Sequence, residues 1–215
     1  MDQLAVVIQT VIFAYRCEPN RFLRAWVDRN GLRWRFGSED VGIERARNQE
    51  LNRFLAEDVP GGATDLLMLD ADIVPVPAEL ADGQPTDAVL TEPGEVVYCG
   101  YTGRDCTTRH CGDDDLGCGC LRISATCAAA VAKPAFAFPE DVLATHRTGC
   151  ECAWFRRRCI EAGFAPRMVG LAGHRQEAIF IPRRNRSGWG LIFDSQLAVT
   201  SVRTERQRAS GPRPS

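Results

Sequence analysis

An apolar run that ends in two carboxylates is the feature that most restricts how this chain folds: residues 65–75 read DLLMLDADIVP. Four apolar residues lead directly to Asp70, Asp72 follows after one alanine, and Pro75 closes the stretch. Such a short apolar run predicts a strand buried on both faces, as in a parallel sheet. Because side chains at i and i+2 point to the same side, and α/β sheets bind ligands at the carboxyl ends of their strands, the carboxylates are predicted at a ligand-binding edge.

Two carboxylates in that position are suited to a divalent cation. Mg²⁺ or Mn²⁺ prefers hard oxygen ligands and often binds a substrate diphosphate as well. The cation then neutralises a departing phosphate. The simpler interpretation is a polar strand end beside a helix cap, since Asp-x-Asp also occurs by chance. The preceding apolar strand and the following Ile-Val-Pro favour metal binding.

The segments around this strand predict an α/β fold. Residues 4–10 are predicted to form a buried strand, 19–29 a helix with Pro19 in its first turn, 32–36 a short strand and 43–57 a second helix. This alternation implies parallel pairing and a mostly parallel central sheet. Further along the chain, the patterns predict a short helix after Pro77, strands at 95–101, 117–124, 179–182 and 190–193, and helices at 125–132 and 150–163.

Length and charge suit a soluble protein with one core. The 215 residues are predicted to form one domain over residues 1–202 and a disordered basic tail over 203–215. The net charge of −2 gives no overall preference for nucleic acid or an acidic membrane surface. No stretch approaches the roughly 20 apolar residues of a membrane helix, and the apolar residues 4–14 have no basic leader. We therefore expect a cytoplasmic protein without a membrane partner.

The chain has 10 cysteines, nine of them between Cys99 and Cys159. The absence of an export signal favours reduced thiols. Zinc modules usually show Cys-x-x-Cys pairs, whereas the close spacing here is Cys-x-Cys, with Cys118 and Cys120 predicted on one face of a strand. Cys99, Cys118, Cys120 and Cys127 lie at positions typical of an apolar core, where a thiol packs as a small hydrophobic group. Buried thiols are the favoured interpretation, and structural Zn²⁺ and disulfides are the alternatives.

The segment GIERARNQELNRFL (42–55), followed by DLLMLDADIVP, resembles the nucleotide-sugar-dependent glycosyltransferases of the GT-A fold. It is most similar to small bacterial and phage members, in which an Ala-Arg-Asn helix precedes the metal-binding Asp-x-Asp strand. The resemblance implies a GT-A-like, Rossmann-like domain. It continues in family order through VVYCGYTGR (96–104), LGCGCLRISATCAAAVAKPAF (116–136), ECAWFRRRCIEAGF (151–164) and LAGH (171–174).

This resemblance implies a metal-dependent enzyme that transfers a hexosyl or pentosyl group from a UDP- or GDP-type sugar to a hydroxyl acceptor. Asp72 would bind Mn²⁺ or Mg²⁺ directly, and Asp70 would lie near the ribose or the metal. His174 would complete the metal site, although a surface histidine is the simpler interpretation. Together with Asp70, the residues implied to contact the nucleotide are Arg47, Asn48 and Arg104. The alternative for Arg47 and Asn48 is a solvated helix face.

The sequence departs from the family pattern at the helix that usually opens Glu-Asp, where the aspartate is the general base of inverting members. Here the pair is Glu151-Cys152, and a thiol is a poor base toward a hydroxyl. Three alternatives stay open. Glu151 is the base, or a carboxylate of the Asp113–Asp115 run such as Asp115 is, or the reaction retains configuration. That acidic run also reads as a solvated loop.

No motif identifies the acceptor. Phage proteins that this chain resembles act on hydroxymethylated pyrimidine in DNA, in a bacterium or phage-infected host. The arginine-rich region 183–213 would suit phosphate contacts with such an acceptor, whereas the slightly acidic pI disfavours it. Glycan, protein and small-molecule hydroxyls are the alternatives and are together favoured over DNA. Two other functions compete. One is a nucleotidyltransferase that uses the same carboxylates, but the residues after the first strand, IQTVIFAYR, contain no glycine-rich loop. The other is a non-catalytic, cysteine-rich zinc protein that binds nucleic acid.

Overall fold

The computed structural model describes residues 4–9, 11–12, 15–16, 19–37, 42–78, 84–102, 116–137 and 151–174. Within these ranges the chain forms a seven-stranded sheet flanked by helices, and a two-stranded ribbon lies beyond the first strand. The strands of the sheet are β1 (Leu4–Gln9), β4 (Trp34–Phe36), β5 (Asp65–Asp70), β6 (Ile73–Pro75), β7 (Val96–Thr102), β8 (Cys120–Ser124) and β9 (Arg167–His174). The ribbon consists of β2 (Val11–Ile12) and β3 (Tyr15–Arg16).

The strand order is β4-β1-β5-β8-β7-β9-β6. Five strands, β4, β1, β5, β7 and β9, run in one direction, and β8 and β6 run against them. The predicted α/β fold with a mostly parallel central sheet is therefore confirmed. The register pairs Leu4 with Asp65 and Gln9 with Asp70, so β1 and β5 end at the same level.

The two central parallel strands are apolar on both faces because helices cover both sides of the sheet. Val7 and Met68 lie in one core cluster together with Leu51 and Phe54. The alternate residues of β1 and β5 lie in a second cluster on the opposite face, with Leu23, Trp26 and Val27. Full burial of one such leucine contributes roughly 1.5–3 kcal/mol. The period-2 alternation in β1 and β5 thus fixes which side chains face each layer.

The helices are α1 (Arg21–Arg29), α2 (Ile43–Arg53), α3 (Ala88–Thr91), α4 (Ala125–Ala130) and α5 (Glu151–Glu161). The helical path of α2 continues as a π-helical turn over Phe54–Asp58. The predicted helix start at Pro19 is wrong, because Asn20 is the N-cap and Pro19 precedes it. Gly31, with φ of 62°, allows the chain to turn after α1, as predicted.

Strands β6 and β9 were not predicted from the sequence. β9 contains Gly170 and Gly173, which weaken a strand pattern. A Cβ at Gly170 would collide with the carbonyl oxygen of Pro85, so the glycine permits a close backbone approach that only the tertiary structure shows. β6 is an edge strand, where the proline at its end is tolerated.

Several predictions lie outside the described residues, namely the strands at 179–182 and 190–193 and the tail over 203–215. In the part of the chain that the structure describes, no helix is long and apolar enough to span a bilayer.

Candidate active site at the carboxyl ends of the strands

Asp70 and Asp72 lie at the carboxyl edge of the sheet. Asp70 is the last residue of β5, and Asp72 lies in the two-residue turn between β5 and β6. Both side chains belong to buried residues, which are 7% and 6% exposed. The backbone N–H of Asp70 donates to the carbonyl oxygen of Gly119, at 2.8 Å, and so fixes the end of β5 against the segment before β8. The edge predicted from the sequence therefore holds both carboxylates.

Arg47 reaches this edge from α2 and is 2% exposed. Its Nη2 atom lies 2.9 Å from Oδ1 and 3.0 Å from Oδ2 of Asp70, and its Nη1 atom donates to the carbonyl oxygen of Cys118 at 2.6 Å. Glu151 Oε1, at the start of α5, lies 3.9 Å from Arg47 Nε. Burial has the largest single effect and lowers the pKa of Arg47, but the charge interactions, of which that with Asp70 is the largest, together outweigh burial and raise the pKa well above its usual value. Arg47 is therefore a buried cation that joins α2, β5 and α5.

The two carboxylates differ in their electrostatic surroundings. Burial and the charge of Asp70 raise the pKa of Asp72 well above its usual value, while a backbone hydrogen bond and Arg47 lower it by less. Ionised Asp72 thus adds negative charge to a site where one guanidinium already binds Asp70. A divalent cation at this point would stabilise the ionised form of Asp72.

His174 is brought next to this turn by the pairing of two short strands. It is the last residue of β9, and it pairs with Ile73, which directly follows Asp72. The pairing joins backbone positions 101 residues apart (174 minus 73). The prediction that His174 lies near the metal site came only from the family resemblance. In the structure, the antiparallel pairing of β6 with β9 places the His174 main chain next to the residue that follows Asp72.

Asn48, the next residue of α2, binds backbone groups. Its Oδ1 accepts from the N–H groups of Ala135 and Phe136, at 3.0 and 3.1 Å, and its Nδ2 donates to the carbonyl oxygens of Phe136 and Glu44. The Phe136 ring stacks on Phe155 of α5, with centroids 4.4 Å apart. Asn48 therefore holds the segment after α4 against α2 and α5. Contact of Arg47 and Asn48 with a nucleotide stays a prediction, since the partners described here are protein groups.

Glu151 is the first residue of α5, and its Oε1 atom lies 3.6 Å from the Sγ atom of Cys152. Its contact with Arg47 places it on the same side of the sheet as Asp70. Its role as general base stays a prediction. Arg104 and Asp115 lie outside the described residues.

Tyr101 and Gly119 also lie close to Asp70, and neither was predicted from the sequence to belong to the site. The Tyr101 hydroxyl oxygen accepts from the Gly119 N–H at 2.6 Å. A Cβ at Gly119 would lie 2.5 Å from that oxygen and 2.7 Å from Oδ2 of Asp70. Burial, followed by the charge of Asp70, raises the pKa of Tyr101 well above its usual value. The Gly-Cys-Gly-Cys spacing was the available signal, since glycine permits such close approach.

Asn20 is a third residue near the site that was not predicted from the sequence. Its side chain caps α1 and also donates to the carbonyl oxygens of Ala71 and Ile73, on either side of Asp72. The dipeptide Pro19-Asn20 is an ordinary helix-start signal and gives no indication of a partner 51 residues away.

None of the described cysteines forms a disulfide, and Cys99, Cys118, Cys120 and Cys127 are buried in the apolar core as predicted. Cys118 and Cys120 face opposite clusters rather than one face of a strand, because β8 begins only at Cys120. Among the residues that the structure describes, no group of three or more histidine, cysteine, aspartate and glutamate side chains is arranged to hold a metal ion.

No protein-family model and no curated protein matches this chain. Among solved structures, the chain is similar to A197 from STIV, with 16% identity, a TM-score of 0.51, and coverage of 79% of this chain and 83% of A197. At that identity the likeness concerns the fold alone.

A glycosyltransferase involved in glycosylation of the major capsid of PBCV-1 matches with 10% identity and a TM-score of 0.42, covering 81% of this chain and 94% of its own. Glucosyl-3-phosphoglycerate synthase from Mycobacterium tuberculosis, solved with Mn²⁺, UDP-glucose and phosphoglyceric acid, matches with 11% identity and a TM-score of 0.39, covering 82% and 73%.

Proposed function

We propose that this protein is a metal-dependent glycosyltransferase that moves a sugar from a nucleotide-sugar donor to a hydroxyl acceptor. A fold of this kind is compatible with many activities, so the proposal depends on the site. The supporting observation is the pair Asp70 and Asp72 at the carboxyl end of β5, where burial and the charge of Asp70 raise the pKa of Asp72 and a divalent cation would stabilise its ionised form.

The donor atoms suit Mn²⁺ or Mg²⁺. Asp72 would be the principal ligand, with Asp70 beside it, and the imidazole of His174 would favour Mn²⁺. Two carboxylates are enough for such a site, because these cations take their other ligands from water and substrate phosphates. When bound, the cation would neutralise the nucleoside diphosphate as it leaves. Asp70 and Arg47 would then hold in place the edge of the sheet at which the diphosphate would bind.

Glu151 is the residue that we assign as general base. Its position at the start of α5, next to Arg47, puts a carboxylate within reach of the same edge. In this role it accepts the proton of the acceptor hydroxyl while the oxygen bonds to the anomeric carbon and the bond to the diphosphate breaks. Replacing Glu151 with glutamine should lower kcat without lowering donor affinity. An equal kcat would rule out Glu151 as the base and leave the Asp113–Asp115 run, Asp115 included, or a retaining reaction as the alternatives.

A thermal-shift screen of UDP- and GDP-sugars, with and without Mn²⁺, tests the proposed function. A ligand at about 100 times its dissociation constant stabilises the folded state by roughly 2.7 kcal/mol. We expect stabilisation that needs both the nucleotide sugar and the cation, and slow hydrolysis of the same donor. Magnesium-free buffer with EDTA is the control. Stoichiometric zinc without cation-dependent nucleotide binding would instead support the zinc-protein alternative.

The acceptor can be tested once the donor is known. Duplex DNA that contains 5-hydroxymethylcytosine, compared with the same duplex containing cytosine, shows whether sugar is incorporated at the hydroxymethyl group. Incorporation only in the first duplex would establish DNA as the acceptor. Hydrolysis of donor without incorporation would direct the search to glycan, protein or small-molecule hydroxyls.

A further inference from the structure

Asn20 uses both ends of its side chain, and each end binds a different part of the fold. Its Oδ1 atom accepts from the N–H groups of Phe22 and Leu23, at 3.0 and 2.9 Å, which caps the first turn of α1. Its Nδ2 atom donates to the carbonyl oxygens of Ala71, at 3.1 Å, and Ile73, at 2.6 Å. Its backbone N–H also donates to Ala71, at 3.1 Å. Asn20 thus makes three hydrogen bonds to the segment that contains the carboxylates.

Asp72 lies between the two carbonyl groups that Asn20 binds. Ala71, which precedes it, lies in the turn after β5, and Ile73, which follows it, is the first residue of β6. The Ala71 carbonyl belongs to the peptide group that precedes Asp72, and the Ile73 carbonyl belongs to the peptide group that follows Ile73. Hydrogen bonds to both carbonyls therefore fix the backbone at each end of the short segment that contains Asp72, and this backbone sets the direction in which the Asp72 side chain leaves it. Asn20 therefore restricts the orientation of Asp72 through the backbone on either side of it.

The chemistry of this arrangement requires an amide. An asparagine side chain accepts at one atom and donates two hydrogens at another. Serine or aspartate would cap α1 about as well as asparagine, but neither provides a pair of donors for two carbonyl groups. Capping alone therefore does not account for asparagine at this position.

We infer that Asn20 is a positioning residue for the cation site: it holds the Asp72 turn in the geometry that binds the cation and anchors that turn to α1. The inference rests on the proposed function in one respect, that Asp72 binds a divalent cation. It adds a residue that neither the Asp-x-Asp pattern nor the metal-ligand set contains.

The test is Mn²⁺ binding to the apoprotein, measured with the metal alone by the decrease of the free Mn²⁺ EPR signal. The variant Asn20→Ser keeps a helix cap and adds no charge, but it removes both amide donors. We expect its affinity for Mn²⁺ to fall by about 10- to 100-fold, the usual effect of losing a residue that orients a metal ligand. Urea unfolding of the same samples reports stability separately.

The matched control is Asn30→Ser at the other end of α1. Asn30 also donates from Nδ2 to a backbone carbonyl, that of Trp26 at 2.9 Å, but it lies at the C-cap. This variant loses an amide from the same helix and should bind Mn²⁺ as the wild type does. If Asn20→Ser does not fold, Asn20→Asp takes its place, because aspartate is a strong N-cap that also lacks the amide donors.

Wild-type affinity in Asn20→Ser, or an equal loss in Asn30→Ser, would overturn the inference and leave Asn20 as a helix cap. If the wild-type protein itself binds no Mn²⁺, the proposed cation site is wrong and the inference is overturned with it. The wild-type measurement thus separates failure of the proposed function from failure of the role assigned to Asn20.

Discussion

Arg47 Nη2 lies within 3.0 Å of both carboxylate oxygens of Asp70, and both residues are buried. This contact makes the two neighbouring aspartates chemically different. The Arg47 guanidinium binds Asp70, whereas burial and the charge of Asp70 raise the pKa of Asp72 and favour its protonated form. A divalent cation beside this turn would therefore stabilise the ionised form of Asp72.

Replacing Asp72 with asparagine should reduce cation-dependent turnover by more than about 100-fold, because a bound metal contributes several kcal/mol at the transition state. The apoprotein should become no less stable at pH 7, and we expect it to become more stable. The folded state raises the pKa of Asp72, so ionisation opposes folding, and this cost appears as the pH rises above the unfolded pKa of about 3.9. Donor hydrolysis and urea unfolding measure the two effects.

Asp65→Asn is the control for that variant. Asp65 begins the same strand, at the end away from the site, and pairs with Arg122 at 3.6 Å. It should keep wild-type turnover. Substantial Mn²⁺-dependent hydrolysis by the Asp72 variant would contradict the assignment of the metal ligand.

Replacing Arg47 with methionine should destabilise the protein by about 3–5 kcal/mol, since it leaves Asp70 buried without its cation. The carbonyl of Cys118 would lose its donor as well. Arg53→Ala, in the same helix, removes a solvent-exposed arginine that pairs with Glu57 at i+4, and should cost at most about 0.5 kcal/mol. Urea unfolding compares the two variants. If both variants lost the same free energy of unfolding, the ion pair of Arg47 with Asp70 would not be important for the stability of this edge of the sheet.

The buried thiols should resist alkylation at a pH where exposed thiols react. A hydrogen bond with Cys120, followed by burial, raises the pKa of Cys99, and a hydrogen bond with Cys127, followed by burial, raises that of Cys159. At pH 9, iodoacetamide should therefore modify the partly exposed Cys152 and leave Cys99 and Cys159 unmodified until the protein unfolds. Peptide mass spectrometry gives the extent at each site.

The same shifts predict a loss of stability in alkali. The thiols of Cys99 and Cys159 stay protonated in the folded state, whereas the same thiols ionise near pH 8.5 in the unfolded chain. Their contribution to the free energy of unfolding is therefore complete below that pH and decreases above it. Urea unfolding at pH 7 and pH 9.5 measures the difference. Rapid alkylation of Cys99 under native conditions would contradict both expectations.

Replacing Gly119 with alanine should lower stability by about 1–3 kcal/mol and weaken Mn²⁺ binding, because the added methyl group collides with Tyr101 Oη and Asp70 Oδ2. Tyr101 is held in place, since its hydroxyl oxygen binds the Gly119 N–H. The double variant with Tyr101→Phe removes one of the two colliding atoms and should recover part of the loss. A double-mutant cycle measures the coupling between the two substitutions. Strictly additive effects would show that the collision with Tyr101 does not cause the loss of stability in Gly119→Ala.

Local sequence patterns were sufficient for most of the sheet and helices. The strand β5 and the helices α1 and α5 follow from patterns within about a dozen residues, so their positions were predicted closely. β9 was not predicted because one of its residues is determined by a contact with a distant part of the chain. Gly170 lies so close to the carbonyl oxygen of Pro85 that a larger residue would collide with it. A pattern read along the chain does not contain that neighbour.

The site shows the same division. The positions of Asp70 and Asp72 after an apolar strand, and hence at the carboxyl edge of a sheet, were readable from eleven residues of sequence. The partners that distinguish the two carboxylates were not, because Arg47, Asn20 and Gly119 come from three other segments. Charge interactions and hydrogen bonds depend on distance in space, and only folding sets those distances. Sequence therefore sufficed to locate two acids at a strand end, whereas the packed structure determined which acid is bound by arginine and which turn is held by Asn20.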